Sequence, residues 1–336
     1  MISTSAPTSF SLFLISSAPL GENYRFSERL VKLIYQSVIL RLYNSFLFLD
    51  YTAKSYKLNK FQRPQKLSLL DQWIYSRLDL AYQRVINLME KYELAKASRE
   101  IIDFVADLSQ WYIRRVKSEI KDKKTASAKC YVLRDILRSF VILSAPFLPY
   151  LSETIFQKIK YKNDPLSVHI VLIKERGKPN KQILDQMQKL RLAISQLLEL
   201  RAKHKIKVRQ PIGKAIVPWL PSSEEASIIK SEINAKEVKK GKEFYLDTKI
   251  TQALLEEGLL RETTRQIQAV RKKMGIFYGQ KAQFKILAPL KLKQFLNKNL
   301  KHLCSKTNSQ ILLGKGKEEI GSFKLLGEKI RIFKLE

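Results

Sequence analysis

A chain of 336 residues, 45% of them hydrophobic, is long enough for two or three domains with cores of their own, which excludes a wholly disordered protein. Lys and Arg number 62 against 31 Asp and Glu, giving a formal net charge of +31 and a pI near 10, so the expected partner is a polyanion. The two cysteines (Cys130, Cys304) and three histidines (His169, His204, His302) match no metal-ligand spacing, which argues against zinc and a disulfide framework and suits a reducing cytoplasm.

The apolar stretch Phe10 to Leu20 has no Lys or Arg ahead of it and so lacks the basic start of a secretory leader. No apolar run reaches the length of about 18 residues needed to cross a membrane. From Phe26 to about Tyr161 the pattern is helical. Leu30, Ile34, Val38, Leu42, Phe46 and Leu49 recur every three or four residues, predicting one face of a long helix. A second helix is expected to start at Ser68, with Asp71 completing a capping box, and to bury Leu70, Ile74, Leu78, Ala81, Val85 and Leu88. A third carries Ile101, Phe104, Val105, Leu108, Trp111 and Tyr112, and a fourth Cys130, Leu133, Leu137, Phe140 and Leu143. Pro146 and Pro149 precede a short helix from Leu151 to about Ile159, and helices joined by short polar connections pack as a bundle.

Turn signals at Asn163-Asp164-Pro165 and Gly177-Lys178-Pro179-Asn180 mark a linker over residues 163–180. Helical spacing returns in Ile183, Met187, Leu190, Ile194 and Leu197, Ile206 to Val217 reads as extended, and a helix from about Gln252 to Met274 ends at Gly275. Strands are expected at Phe284 to Leu287, Ile311 to Leu313 and Lys329 to Phe333, with a helix from about Leu290 to Leu303 between the first two, so this half is mixed α/β.

No catalytic motif of the GxxxxGK[ST], GxGxxG or GxSxG type is present. Chemistry is concentrated instead in basic and aromatic residues. In the segment Trp111 to Lys117 the aromatics join the apolar stripe, whereas Arg114, Lys117 and Lys121 share another helix face. A core Trp beside a solvated basic face explains this as well as a grip on RNA phosphates does. In Arg201-Ala-Lys203-His-Lys205-Ile-Lys207-Val-Arg209-Gln210, an extended backbone would place Lys205, Lys207 and Arg209 on one face over a floor of Ile206 and Val208. Trp73 adjoins the stripe Leu70, Ile74, Leu78, which favours a core position over base stacking; Trp111 is open to the same two readings.

Five collinear stretches resemble the C-terminal part of isoleucyl-tRNA synthetase, a class I aminoacyl-tRNA synthetase. They are LISSAPLGENYRFSE (Leu14 to Glu28), LDQWIYSRL (Leu70 to Leu78), DLSQWYIRRVK (Asp107 to Lys117), APFLPYLSETIF (Ala145 to Phe156) and KIKVRQPI (Lys205 to Ile212). EEGLLRETTRQIQAVRKKMG (Glu256 to Gly275) is similar to a late helix of the same family. The W-Y-x-R-R and A-P-x-x-P-x-x-[ST]-E patterns are shared with valyl and leucyl enzymes, and a valyl-type fragment is an alternative; KIKVRQP and the late helix point more narrowly to isoleucine.

The resemblance implies a mainly α protein: a helical-bundle anticodon-binding domain over residues 21–165, then a smaller mixed α/β region over residues 180–336 that also touches tRNA. Residues 1–20 would be the remnant of a junction with a missing catalytic domain. The implied tRNA contacts are Arg114, Arg115, Lys117, Lys121, Arg201, Lys203, Lys205, Lys207, Arg209, Gln210, Arg261, Arg265 and Arg271. The family's HIGH- and KMSKS-type signatures, its editing domain and the cysteine-rich zinc module of one subtype are not in this sequence. This chain is therefore expected to hold no cofactor or metal and to be inactive alone, with ATP and Mg serving the complete enzyme. Met1 to Ser11 matches nothing in the family, which suggests a truncated, split or frame-shifted reading frame. Rival readings are a freestanding tRNA-binding protein working with a separate catalytic polypeptide, a non-functional fragment, and a general RNA chaperone. All of them are cytoplasmic and free of the membrane.

Overall fold

The computed structural model describes residues 10–16, 27–276 and 280–334. Most of the junction remnant read at 1–20, and residues 17–26 of the first family-like stretch, lie outside them. The chain divides into two compact units, Met1–Gln188 and Lys189–Glu336. The first is helical and the second mixed α/β, the fold class expected. The division falls inside a helix, later than the linker at 163–180.

Among the described residues the first unit has α1 (residues 10–16) and then α2 (Glu28–Ile34), which runs directly through a π-helical turn (Tyr35–Ile39) into α3 (Leu40–Ser55). The π turn inserts one residue into the helical repeat, which rotates the stripe before it away from the stripe after it. Val38, Leu42 and Leu49 are therefore buried, while Leu30, read as part of the same face, is 46% exposed. Helix α4 (Leu69–Glu90) starts at the expected capping box: Ser68 Oγ accepts from the Asp71 N–H at 3.3 Å, and the Asp71 carboxylate accepts from the Ser68 N–H at 3.1 Å. Helix α5 (Leu94–Ala106) runs through a second π segment (Asp107–Ile113) into α6 (Arg114–Glu119), and α7 (Lys123–Ser144) and α8 (Pro149–Ile159, with Pro149 in its first turn) complete the bundle. Ile74, Leu78, Ile101, Phe104, Leu137 and Phe140 are wholly buried, each contributing about 1.5–3 kcal/mol of apolar burial, and the Phe104 and Phe140 rings stack at 4.5 Å.

The segment after α8 is tied to the bundle although it has little regular structure. Arg138 on α7 grips the Asp164 carboxylate with both Nε (2.6 Å) and Nη2, and Arg176 donates to Asp79 at 3.3 Å and to Ser139. Pairing to fixed helices explains how a stretch rich in turn residues holds one course.

In the second unit, the end of α9 (Lys181–Lys203) buries Leu190, Ala193, Ile194 and Leu197. Strand β1 (Ile212–Val217), α10 (Ser223–Ile233) and β2 (Ala235–Lys240) form a parallel β-α-β unit, and β3 (Tyr245–Leu246) pairs antiparallel to β1, giving the order β2-β1-β3. Helix α11 (Gln252–Lys273) ends, as read, with Gly275 at φ +69°. The chain then runs β4 (Ala282–Leu287), α12 (Leu290–Thr307), β5 (Ser309–Leu313), β6 (Glu319–Leu325) and β7 (Glu328–Lys334), with sheet order β5-β4-β7-β6. Leu326 (φ 51°) and Gly327 (φ 83°) turn β6 into β7, both left-handed as a tight hairpin requires. Phe284, Ile286, Ile311, Ile330 and Ile332 pack against Ile267 and Val270 of α11 and Leu292 and Leu296 of α12. Among the described residues, no helix is long and apolar enough to cross a membrane.

The extended reading of Ile206 to Val217 holds only from Ile212; residues 204–210 form two successive turns. Strands β2, β3 and β6 were not predicted. β2 exposes most of its residues, β3 is two residues long, and β6 is interrupted by a register shift between Glu319 and Gly321.

Candidate nucleic-acid interface

Helix α9 ends in a Schellman turn: the Lys205 N–H bonds the Ala202 carbonyl at 2.9 Å and the Ile206 N–H bonds the Arg201 carbonyl at 2.9 Å, with Lys205 at φ +55°. A second turn follows, closed by the Gln210 N–H on the Lys207 carbonyl at 2.9 Å. Both are folded around Arg201, which is 0% exposed and donates to the carbonyls of Ile233, Lys207 and Gln210 at 2.5–2.8 Å. Burial pushes the Arg201 pKa down, yet a guanidinium starts so high that it stays charged, and three carbonyl dipoles receive that charge.

Two further residues hold the loop from outside. Asn234, the left-handed cap of α10 at φ 53°, donates to the carbonyls of Val208 (3.2 Å) and Arg209 (2.9 Å) while its own carbonyl accepts from Arg261 on α11. Gln210 donates to the Leu254 carbonyl at 2.7 Å and lies against Gly258, where a Cβ would collide with its amide. The loop therefore presents Lys203, Lys205, Lys207, Val208 and Arg209 outward on a backbone fixed by Arg201, Asn234 and Gln210.

This differs from the alternating ribbon expected. Two turns do not alternate faces, so Val208, read as floor, is 50% exposed. Arg201 and Gln210, read as tRNA contacts, are internal clamps. Arg271 is also internal: at 4% exposure it donates to the carbonyls of Asn308 and Gln280, each at 2.8 Å, joining the end of α11 to the strands. Arg261 and Arg265 are on the surface but paired with Glu257 and Glu262, each at 2.7 Å, and Arg209 reaches Glu262 at 3.3 Å.

In the helical unit, Arg114, Lys117 and Lys121 are all exposed. They do not share one helix face as read, because α6 stops at Glu119 and Lys121 lies beyond it. Lys117 Nζ stands 5.2 Å over the Phe48 ring. Arg115 turns inward at 5% exposure, its guanidinium 4.0 Å over the Trp111 ring and bonded to the Trp111 carbonyl at 2.7 Å. That stacking accounts for the half-buried Trp111, and Trp73, 2% exposed, is core. The neighbouring Tyr112 donates to Asp71 at 2.7 Å, and Lys129 bridges Asp71 and Glu119, both at 2.8 Å. Burial alone would raise the Asp71 pKa; the Lys129 charge, with the Tyr112 and Ser68 hydrogen bonds, outweighs it and lowers the pKa below the ordinary carboxylate value.

Sequence reasoning overlooked Asn234, whose signal was an Asn between a capped helix and a strand. It also overlooked Trp219, which takes Lys189 Nζ at 4.4 Å over its face. Among the described residues no group of three His, Cys, Asp or Glu side chains is placed to hold a metal ion.

Residues 71–217, from α4 through β1 and including the Arg201 loop, match the family model for the anticodon-binding domain of tRNA ligase. That is the class of domain this part of the chain resembles. Over 241 residues the chain is 31% identical to the isoleucine–tRNA ligases of Chlamydia trachomatis serovar L2 and of Chlamydia muridarum, covering 68% of this chain and 23% of each relative. The isoleucine–tRNA ligase of Protochlamydia amoebophila is 28% identical over 239 residues, covering 67% of this chain and 23% of the relative. The chain is thus similar to isoleucine–tRNA ligases and spans about a quarter of the length of the curated relatives it matches. The apo methionyl-tRNA synthetase of Mycobacterium tuberculosis aligns at a TM-score of 0.40 and 13% identity, over 52% of this chain and 37% of that one.

Proposed function

We propose that this chain binds an isoleucine-accepting tRNA in the cytoplasm as the tRNA-holding part of an isoleucine–tRNA ligase. The observation that carries the reading is the match of residues 71–217 to an anticodon-binding domain, a span containing both the Arg114–Lys117 surface and the preorganised loop at 203–209. Lys and Arg on a fixed loop neutralise phosphates, and ordering that loop before RNA arrives lowers the entropy lost on binding. In the complete ligase such contacts would orient the acceptor end, binding energy spent on positioning rather than on bond making. Isoleucine activation with ATP and Mg belongs, in this reading, to other parts of the complete enzyme.

With roughly 6–10 phosphate contacts, affinity for an isoleucine tRNA is expected to fall about 10³- to 10⁵-fold between 50 and 200 mM salt. Changing Lys205, Lys207 and Arg209 together to Gln should weaken binding and shallow the log–log salt slope by about 2–3, as three lost phosphate contacts require. Filter binding across a salt series reads both. Unchanged affinity and slope would show that the loop is merely solvated and would leave the Arg114 and Lys117 surface to carry binding.

The isolated chain is further expected to catalyse no isoleucine-dependent ATP–pyrophosphate exchange, since its sequence has neither ATP-handling signature. Exchange that co-purifies with the chain through successive columns would refute this division of labour.

A further inference from the structure

The four-stranded sheet is covered by helices on one face only. Phe284, Ile286, Ile311, Phe323, Ile330 and Ile332 point into the core shared with α11 and α12, and Gly321 passes so close to Val270 that a Cβ would stand 3.0 Å from it. Strand alternation puts the intervening residues on the opposite face. There Lys285 of β4, Arg331 and Lys329 of β7 and Lys324 of β6 fall on neighbouring strands. Register sets Lys324 directly opposite Lys329, Ser322 opposite Arg331, and Leu287 opposite Arg331, with Lys285 one diagonal step away. The four cations form an oblique stripe across three strands.

Three features set this stripe apart from an ordinary solvated surface. Among the described residues none of the four is ion-paired, whereas Arg209, Arg261, Arg265 and Lys298 in the same unit each have a Glu partner. Like charges directly opposite on adjacent strands oppose folding, so the Lys324–Lys329 pair is a cost that a bound polyanion would relieve. Among the described residues the face exposes no ring for bases to stack on, because Phe333, aromatic and outward in register, is 3% exposed beneath Gly316. Glu319, opposite Phe333, lies at one side of this row of four cations, and such a row without exposed rings suits a phosphodiester backbone whose bases are already paired.

We propose that the open face of the β5-β4-β7-β6 sheet is a second RNA-binding surface, which grips the phosphates of base-paired RNA through Lys285, Lys324, Lys329 and Arg331 without reading sequence. It goes beyond the isoleucine-tRNA reading and stands without it, since any RNA stem presents the same phosphates.

The test uses the full chain and a blunt 16-base-pair RNA duplex with no loop. Lys285→Gln, Lys324→Gln, Lys329→Gln and Arg331→Gln combined should weaken duplex binding at least about 10-fold at 100 mM salt and shallow the salt slope by about 3–4. The Lys205/Lys207/Arg209 Gln variant should lose less duplex affinity than the quadruple variant, and a larger loss would place duplex binding on the loop and overturn the proposal. Because like-charge repulsion has been removed, the quadruple variant should melt at or above the parent's temperature, and a lower melting temperature would overturn the geometry. Parent-like duplex binding by the quadruple variant overturns the proposal. So does loss of binding to phosphatidylserine vesicles with duplex binding retained, which would make the face a membrane contact.

Discussion

Arg77→Met is expected to cost the helical unit about 3–5 kcal/mol, because it removes the ion-pair partner that two buried carboxylates share. Arg77 Nε meets Asp107 at 2.8 Å and its Nη1 meets Glu100 at 2.5 Å, with all three side chains about 10% exposed. Burial works against the arginine's charge, but the two carboxylates more than restore it and raise its pKa. Without it, Glu100 keeps only the more exposed Arg84 at 3.3 Å, and Asp107 loses its charged partner on α4. The measurement is the urea midpoint followed by the fluorescence of Trp73 and Trp111. Replacing all three residues together (Arg77→Met, Glu100→Leu, Asp107→Leu) should recover most of the loss, as buried ion clusters exchanged for apolar side chains commonly do. A single variant as stable as the parent would mean that the cluster contributes no net stability.

Arg201→Met should destabilise the second unit by about 3–5 kcal/mol and, in samples still folded at low temperature, reduce tRNA affinity on the order of 10-fold. The side chain touches no surface, so the second effect would arise through the loop it holds: the carbonyls of Ile233, Lys207 and Gln210 would lose their shared donor, and Lys203, Lys205, Lys207 and Arg209 would no longer be presented in one arrangement. Arg201→Lys distinguishes a clamp from a phosphate contact. A lysine keeps the charge but cannot span three carbonyls with a planar fork, so a clamp should be rescued poorly. Near-parental stability and salt slope in the lysine variant would place Arg201 among the RNA contacts.

The sequence by itself determined the helices of the first unit and the helical fold class they build. Periodic apolar residues, the Ser68–Asp71 capping box, Pro149 in the first turn of α8 and Gly275 after α11 act within one or two helical turns, where local chemistry is sufficient. Net charge likewise pointed to a polyanion before any fold was known. Tertiary structure alone decided which cations face outward. Arg115, Arg201 and Arg271 look no different in sequence from Arg114, Lys203 and Arg209, yet the first three are absorbed by an indole face or by backbone carbonyls supplied in part from distant segments. The π turn at Tyr35–Ile39 had the same effect on the first apolar stripe, since one inserted residue rotates a helix face without any marked change in composition. The cationic stripe on the C-terminal sheet was equally hidden: Lys285, Lys324, Lys329 and Arg331 come together only through strand register, which is set by long-range pairing.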